Sequence, residues 1–145
     1  MPSFIRTLLE SRIFGILARI VLTYIFWASG IAKLVDFDAA VAEMSHFGLE
    51  PAPLYAVAVI VTQLGGSALI IANRWTWLGA GALAVFTALT IPIAHTFWTM
   101  QEPMKTIEFY VVMEHITVIG ALMVVSWKSV PQDAPAAARR EYANA

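Results

Sequence analysis

Four stretches of predominantly apolar residues, each roughly the 20 needed to cross a bilayer core of about 30 Å, decide what this chain can fold into. They run over residues 13–34, 54–72, 75–95 and 107–127. In hydrocarbon every backbone N–H and C=O must find a partner within its own segment, so each stretch reads as a helix. The expected fold class is all-α, a polytopic membrane protein built as a bundle of four transmembrane helices. Four spans use about 80 of the 145 residues, and the rest is too short for a second domain with its own core. The composition agrees, with 59% apolar residues against 13% charged, well outside the soluble range of about 45–50% and about 25%. A formal charge of −1 lacks the basic footprint of nucleic-acid binding. With no cysteine, thiolate chemistry, disulfides and iron–sulfur ligation are excluded.

Local signals set the boundaries. The first run follows a short lead with Arg6 and Arg12, and Ala28, Ser29 and Gly30 near its end mimic a signal-peptide cleavage site. Its length and the three spans that follow make it an uncleaved helix. Pro51 and Pro53 precede the second span, where a missing N–H costs nothing. Asn73 and Arg74 form a tight turn into the third, which contains Pro92 and is expected to kink there. Pro131 ends the fourth helix, and the tail over 128–145 is Ala-rich and polar, a frayed or short surface segment. The loop 35–51, with Asp36, Asp38, Glu43, Glu50 and His46, reads as an amphipathic segment on the membrane surface with Val41, Met44 and Phe47 as its apolar side.

Basic residues near span ends set orientation. Arg6, Arg12, Arg74, Lys128, Arg139 and Arg140 fall on one side and only Lys33 and Lys105 on the other, which puts both termini in the cytoplasm. Trp75, Trp77, Trp98 and Trp127 fall at the expected interfaces, and Trp27 alone lies inside a span.

An ionisable side chain in hydrocarbon costs at least about 2.5–3.5 kcal/mol, so the few polar residues within the spans carry the functional signal. On the first helix Arg19, Thr23, Phe26, Gly30 and Lys33 share one face at steps of three and four. Arg19 either faces the interior or snorkels to headgroups. On the second, Ala56, Val59, Gln63, Gly66, Ser67 and Ile70 form a stripe in which Gln63 bonds across an interface or lines a site. On the third, Gly81, Ala84, Ala88, Pro92 and His95 share a face; on the fourth, Tyr110, Glu114, Thr117 and Ala121 do, with His115 beside Glu114.

Glu114 is the candidate catalytic residue. It is expected to pair with Arg19 or Lys33, or to share a proton with Tyr110 or His95; a purely structural ion pair is the alternative. Arg19, Lys33, Gln63, His95, Tyr110 and His115 are the candidate ligand-binding residues, lining a pocket open to the outer side beneath the acidic loop. Such a lining suits a flat amphiphile such as a quinone headgroup, held without a covalent bond, which needs hydrogen-bond donors and a proton source. No metal site is expected, and haem between His95 and His115 is disfavoured because the topology puts them at different depths.

These residues resemble those of the DoxX family of small four-helix bacterial membrane proteins, over about Leu17 to Ser126. The family's arginine followed by a small-Gly-x-x-Lys motif is matched by Arg19 and Ser29, Gly30, Ile31, Ala32, Lys33. Its glycine-rich helical turn and basic turn are matched by Gln63, Leu64, Gly65, Gly66 and by Asn73, Arg74; its later histidine by His95; its polar pair by Glu114 and His115. Where the family usually has Glu in the second helix this chain has Gln63, and Glu114 is the substitute carboxylate. The resemblance implies a bacterial inner-membrane subunit or anchor of a quinone-linked redox system, at most the membrane subunit of a quinone-dependent oxidoreductase. Its implied partners are the lipid bilayer and a soluble or membrane redox protein, with a homo-oligomer as a further arrangement. A non-catalytic scaffold and, less naturally for four helices, a small-solute carrier are the alternatives.

Overall fold

The first apolar run is not one straight helix. The structure, a computed structural model that describes residues 1–130, divides it into α2 (Arg12–Leu22) and α3 (Tyr24–Val35), bent by 59° at Thr23. At the bend the Arg19 carbonyl keeps its backbone bond from the Thr23 N–H, and side chains add to it and serve the Ile20 carbonyl. The Thr23 hydroxyl donates to the carbonyl of Arg19 at 2.8 Å, and the Trp27 indole N–H donates to that of Ile20 at 3.1 Å. Unsatisfied carbonyls at this depth would be costly, which explains the one tryptophan that lies within a span. α1 (Ser3–Glu10) precedes the bent pair and carries an exposed Arg6–Glu10 ion pair.

After α3 the chain forms α4 (Phe37–His46), α5 (Ala52–Ile71), α6 (Thr76–Ala94), a 3₁₀ turn (Phe97–Thr99) and α7 (Met104–Lys128). α5, α6 with the 3₁₀ turn, and α7 are each long and apolar enough to cross a membrane, and the α2–α3 pair makes a fourth crossing when taken as one bent span. The chain is thus an all-α polytopic membrane protein. The end of the bundle that carries α4 is called here the upper end, and the end with the α5–α6 turn the lower. The tail reading beyond Val130 lies outside the described residues.

Asp36 caps α4 by accepting the Ala39 N–H at 3.0 Å. Ala40 and Met44 then pack under Ala52 and Ala56 of α5, which makes the acidic loop an ordered helix seated on the bundle. Val41 and Phe47 are half-buried, as the amphipathic reading requires.

The main core lies lower, where Phe26, Ile70, Ala80, Leu83 and Leu122 come together from α3, α5, α6 and α7. α5 and α6 approach most closely at Gly66 and Gly79. A Cβ built on Gly79 would stand 2.7 Å from the Gly66 carbonyl oxygen, so these two helices meet backbone to backbone. The lower turn between them places Asn73 and Trp75 in the left-handed region, at φ 55° and 50°. Asparagine tolerates this conformation and tryptophan rarely adopts it. Trp75, Trp77 and Trp127 are exposed around this lower end.

Pro92 lies in the last turn of α6, where it takes away the N–H that would bond the Ala88 carbonyl, and the helix ends two residues later. The next segment climbs alongside α7. Phe97 stacks edge-to-face on Phe109 with ring centroids 5.4 Å apart.

Candidate functional site

On α3 and α5 the interior faces follow the sequence pattern. Thr23, Phe26 and Gly30 are buried, as are Ala56, Gln63, Gly66, Ser67 and Ile70. The polar members of these faces do not converge. Arg19 donates to the Gly15 carbonyl at 3.2 Å and to Asn73 Oδ1 at 3.0 Å, which ties the first crossing to the lower turn. Lys33 meets Glu43 of α4 at 2.6 Å at the upper end. Gln63 lies between them, 5% exposed, with its Nε2 donating to Ser29 Oγ at 3.3 Å and its Oε1 without a partner among the described residues.

The residues that do converge are on α6 and α7. His95, just past the end of α6, holds its Nδ1 2.7 Å from Oε2 of Glu108. Its ring packs edge-to-face on that of His115, with centroids 4.6 Å apart. His115 Nδ1 lies 2.8 Å from the Val111 carbonyl. A carbonyl only accepts, so Nδ1 of His115 carries the proton and Nε2 is the ring's acceptor when it is neutral. Both side chains of the His95–Glu108 pair are largely buried, at 23% and 17% exposed. The result is a carboxylate and two imidazoles in contact between two membrane-spanning helices, able to donate hydrogen bonds and exchange protons. Among the described residues, no three His, Asp or Glu side chains are placed to hold a metal ion.

Glu108 was not among the expected residues, yet a signal for it existed. It lies seven residues before His115, two helical turns, on the same face as Val112.

Four expectations are corrected here. Glu114 does not line the protomer's interior. It is exposed and has no hydrogen-bond or ion-pair partner among the described residues, so neither Arg19 nor Lys33 pairs with it. Tyr110, on the same face, is 59% exposed and lies outside the cluster. The buried face of α6 is Thr76, Ala80, Leu83 and Thr87; Gly81, Ala88 and Pro92 face outward. His95 and His115 are not separated in depth, because the third crossing runs on past His95 to Thr99 and α7 begins at Met104, three residues before the expected start.

The expected pocket beneath the acidic loop also has a different counterpart. A hollow of about 450 Å³ lies between α5 and α6, with Thr62, Trp77, Gly81, Val85 and Leu89 in its walls, and none of the candidate residues lines it.

The geometry can be set beside known proteins. The DoxX family model matches residues 15–96, more than half of the chain. The chain belongs to the DoxX family. This DoxX protein is also similar to inner membrane protein YphA of Escherichia coli (strain K12), with 24% identity over 111 residues that cover 77% of this chain and 79% of the relative. No solved structure matches it significantly. The family match takes in α3, α5, α6 and His95 but ends before α7, so it does not cover Glu108, Glu114 or His115.

Proposed function

We propose that this DoxX protein is the membrane subunit or anchor of a quinone-linked redox system, and that the His95–Glu108–His115 cluster receives the headgroup of a quinone-like amphiphile. The observation that carries this reading is the 2.7 Å contact between His95 and Glu108 inside a pair of membrane-spanning helices. Ionisable side chains are retained at such a depth mainly where they serve a function. A quinone carbonyl accepts a hydrogen bond, and its reduction to quinol takes up two electrons and two protons. The electrons come from a redox partner protein. The protons pass through the imidazoles, with Glu108 orienting His95. Glu108 thereby takes the carboxylate role that the sequence reading gave to Glu114.

The relative's description as an inner membrane protein supports the same location here. The excess of Lys and Arg at the lower end and termini supports a cytoplasmic lower end, which puts the cluster towards the outer face.

Quinone content after mild detergent purification from native membranes tests the reading. The unaltered protein is expected to retain ubiquinone or menaquinone, and His95→Ala and Glu108→Gln to lose most of it. Absence of quinone from the unaltered protein, or equal retention in all three, overturns the proposal.

A further inference from the structure

We infer that α1 lies flat in the headgroup layer of the lower leaflet, its apolar half in the acyl boundary and anionic phospholipids gathered around it. The eight residues of α1 divide into two halves. At about 100° per residue Phe4, Ile5, Leu8 and Leu9 fall on one side of the helix, and Ser3, Arg6, Thr7 and Glu10 on the other. No residue of α1 is buried, and Phe4, Leu8 and Leu9 are exposed, so the bundle does not cover the apolar half. The polar half meets its own needs. Arg6 Nε donates to Glu10 at 2.9 Å and the Thr7 hydroxyl to the Ser3 carbonyl at 3.1 Å. Far too short to span, a helix divided in this way suits the plane of a membrane surface.

The occupant follows from where α1 is tethered. Ser11 alone separates it from α2, and its extended backbone redirects the chain between the two helices. α2 opens the first crossing with Ile13, Phe14 and Leu17 exposed, an apolar surface that only lipid tails can meet. α1 is about 12 Å long, so its apolar half stays within that distance of the same bilayer and continues the same surface. Charge then selects the lipid. The described lower end carries Arg6, Arg12, Arg19, Arg74 and Lys128 against the single carboxylate of Glu10. Arg12 and Arg74 have no hydrogen-bond or ion-pair partner among the described residues, which leaves them to headgroup phosphates. The inference is independent of the quinone reading, because none of these residues belongs to the histidine cluster.

The chain has no cysteine, so a single introduced one can carry a fluorophore that reports its surroundings. Leu8→Cys and Thr7→Cys, each labelled in the full chain, are reconstituted in vesicles of phosphatidylcholine mixed with phosphatidylglycerol. The label at position 8 is expected to be quenched by lipids brominated on their acyl chains and shielded from aqueous acrylamide, and the label at position 7 to show the reverse. At position 8, brominated phosphatidylglycerol should quench about fivefold more effectively than brominated phosphatidylcholine in the same mixture. Arg12→Gln or added salt should reduce that preference. Equal access of acrylamide to both positions overturns the inference, and so does shielding of position 8 without quenching by either lipid, which would mean a protein cover. Equal quenching by the two brominated lipids, or a preference unchanged by both Arg12→Gln and salt, overturns it as well.

Discussion

The indole N–H of Trp27 donates to the carbonyl of Ile20 at 3.1 Å, reaching back seven residues across the bend in the first crossing. It lets the helix change direction without leaving the Ile20 carbonyl bare in hydrocarbon. Trp27→Phe keeps the ring and removes the donor. A loss of about 1 kcal/mol is expected, in line with interhelical hydrogen bonds measured in membranes. Unfolding in mixed micelles should show it, and a variant as stable as the parent would refute the role given to the indole.

The two glycines of α6 make a matched pair of tests. Gly79→Ala drives a methyl to 2.7 Å from the Gly66 carbonyl oxygen, so α5 and α6 must separate. The expected cost is about 1–3 kcal/mol, the usual range for overpacking. At Gly81 an added Cβ meets nothing within 4 Å. Gly81→Ala should therefore be neutral or stabilise by up to about 1 kcal/mol through helix propensity. The same unfolding assay separates them.

His95 and Glu108 should behave as a coupled pair. A double-mutant cycle with His95→Ala and Glu108→Ala is expected to give an interaction energy within about 0.5–3 kcal/mol, because each single change strands a largely buried partner. Additive effects on unfolding would mean that the 2.7 Å contact contributes nothing to the fold.

Lys33→Met tests how α4 is held to the bundle. The Lys33–Glu43 pair is short, but Glu43 is 43% exposed, so its contribution should stay below about 1 kcal/mol and fall with added salt. The buried Ala40 and Met44 should keep α4 in place. Limited proteolysis across residues 36–50 should therefore speed up only slightly, and wholesale loss of the segment would show that the ion pair carries more than the apolar contact.

What was legible in the sequence follows from where polar and small residues are unambiguous. On α3 and α5 the stripes through Gly30 and Gln63 combine small residues with the polar Thr23, Gln63 and Ser67, and they are buried. α6 and α7 offer such residues on more than one side. Lipid tails are as apolar as a core, so a spanning helix need not be amphipathic, and hydropathy gives no sense of which side faces inward. Gly81 and Ala88 thus resembled a packing face although Gly79, Ala80 and Leu83 form the real one. Glu114 attracted the expected chemistry through its adjacency to His115, whereas the carboxylate that meets His95 is Glu108. The level of His95 depended on how the segment 95–103 climbs, which local pattern does not encode.

The 59° bend at Thr23 also has a consequence for the surrounding lipid. Along the axis of α3, that helix rises about 18 Å and the tilted α2 adds roughly 8 Å, whereas α7 is about 37 Å long. The first crossing is therefore near 26 Å in height, short of an average bilayer, whereas the apolar run 107–127 of α7 spans about 31 Å. Acyl chains beside α2 must thin or tilt, while those beside α7 need not. Lengthening the lipid chains should therefore load strain onto the bent crossing first.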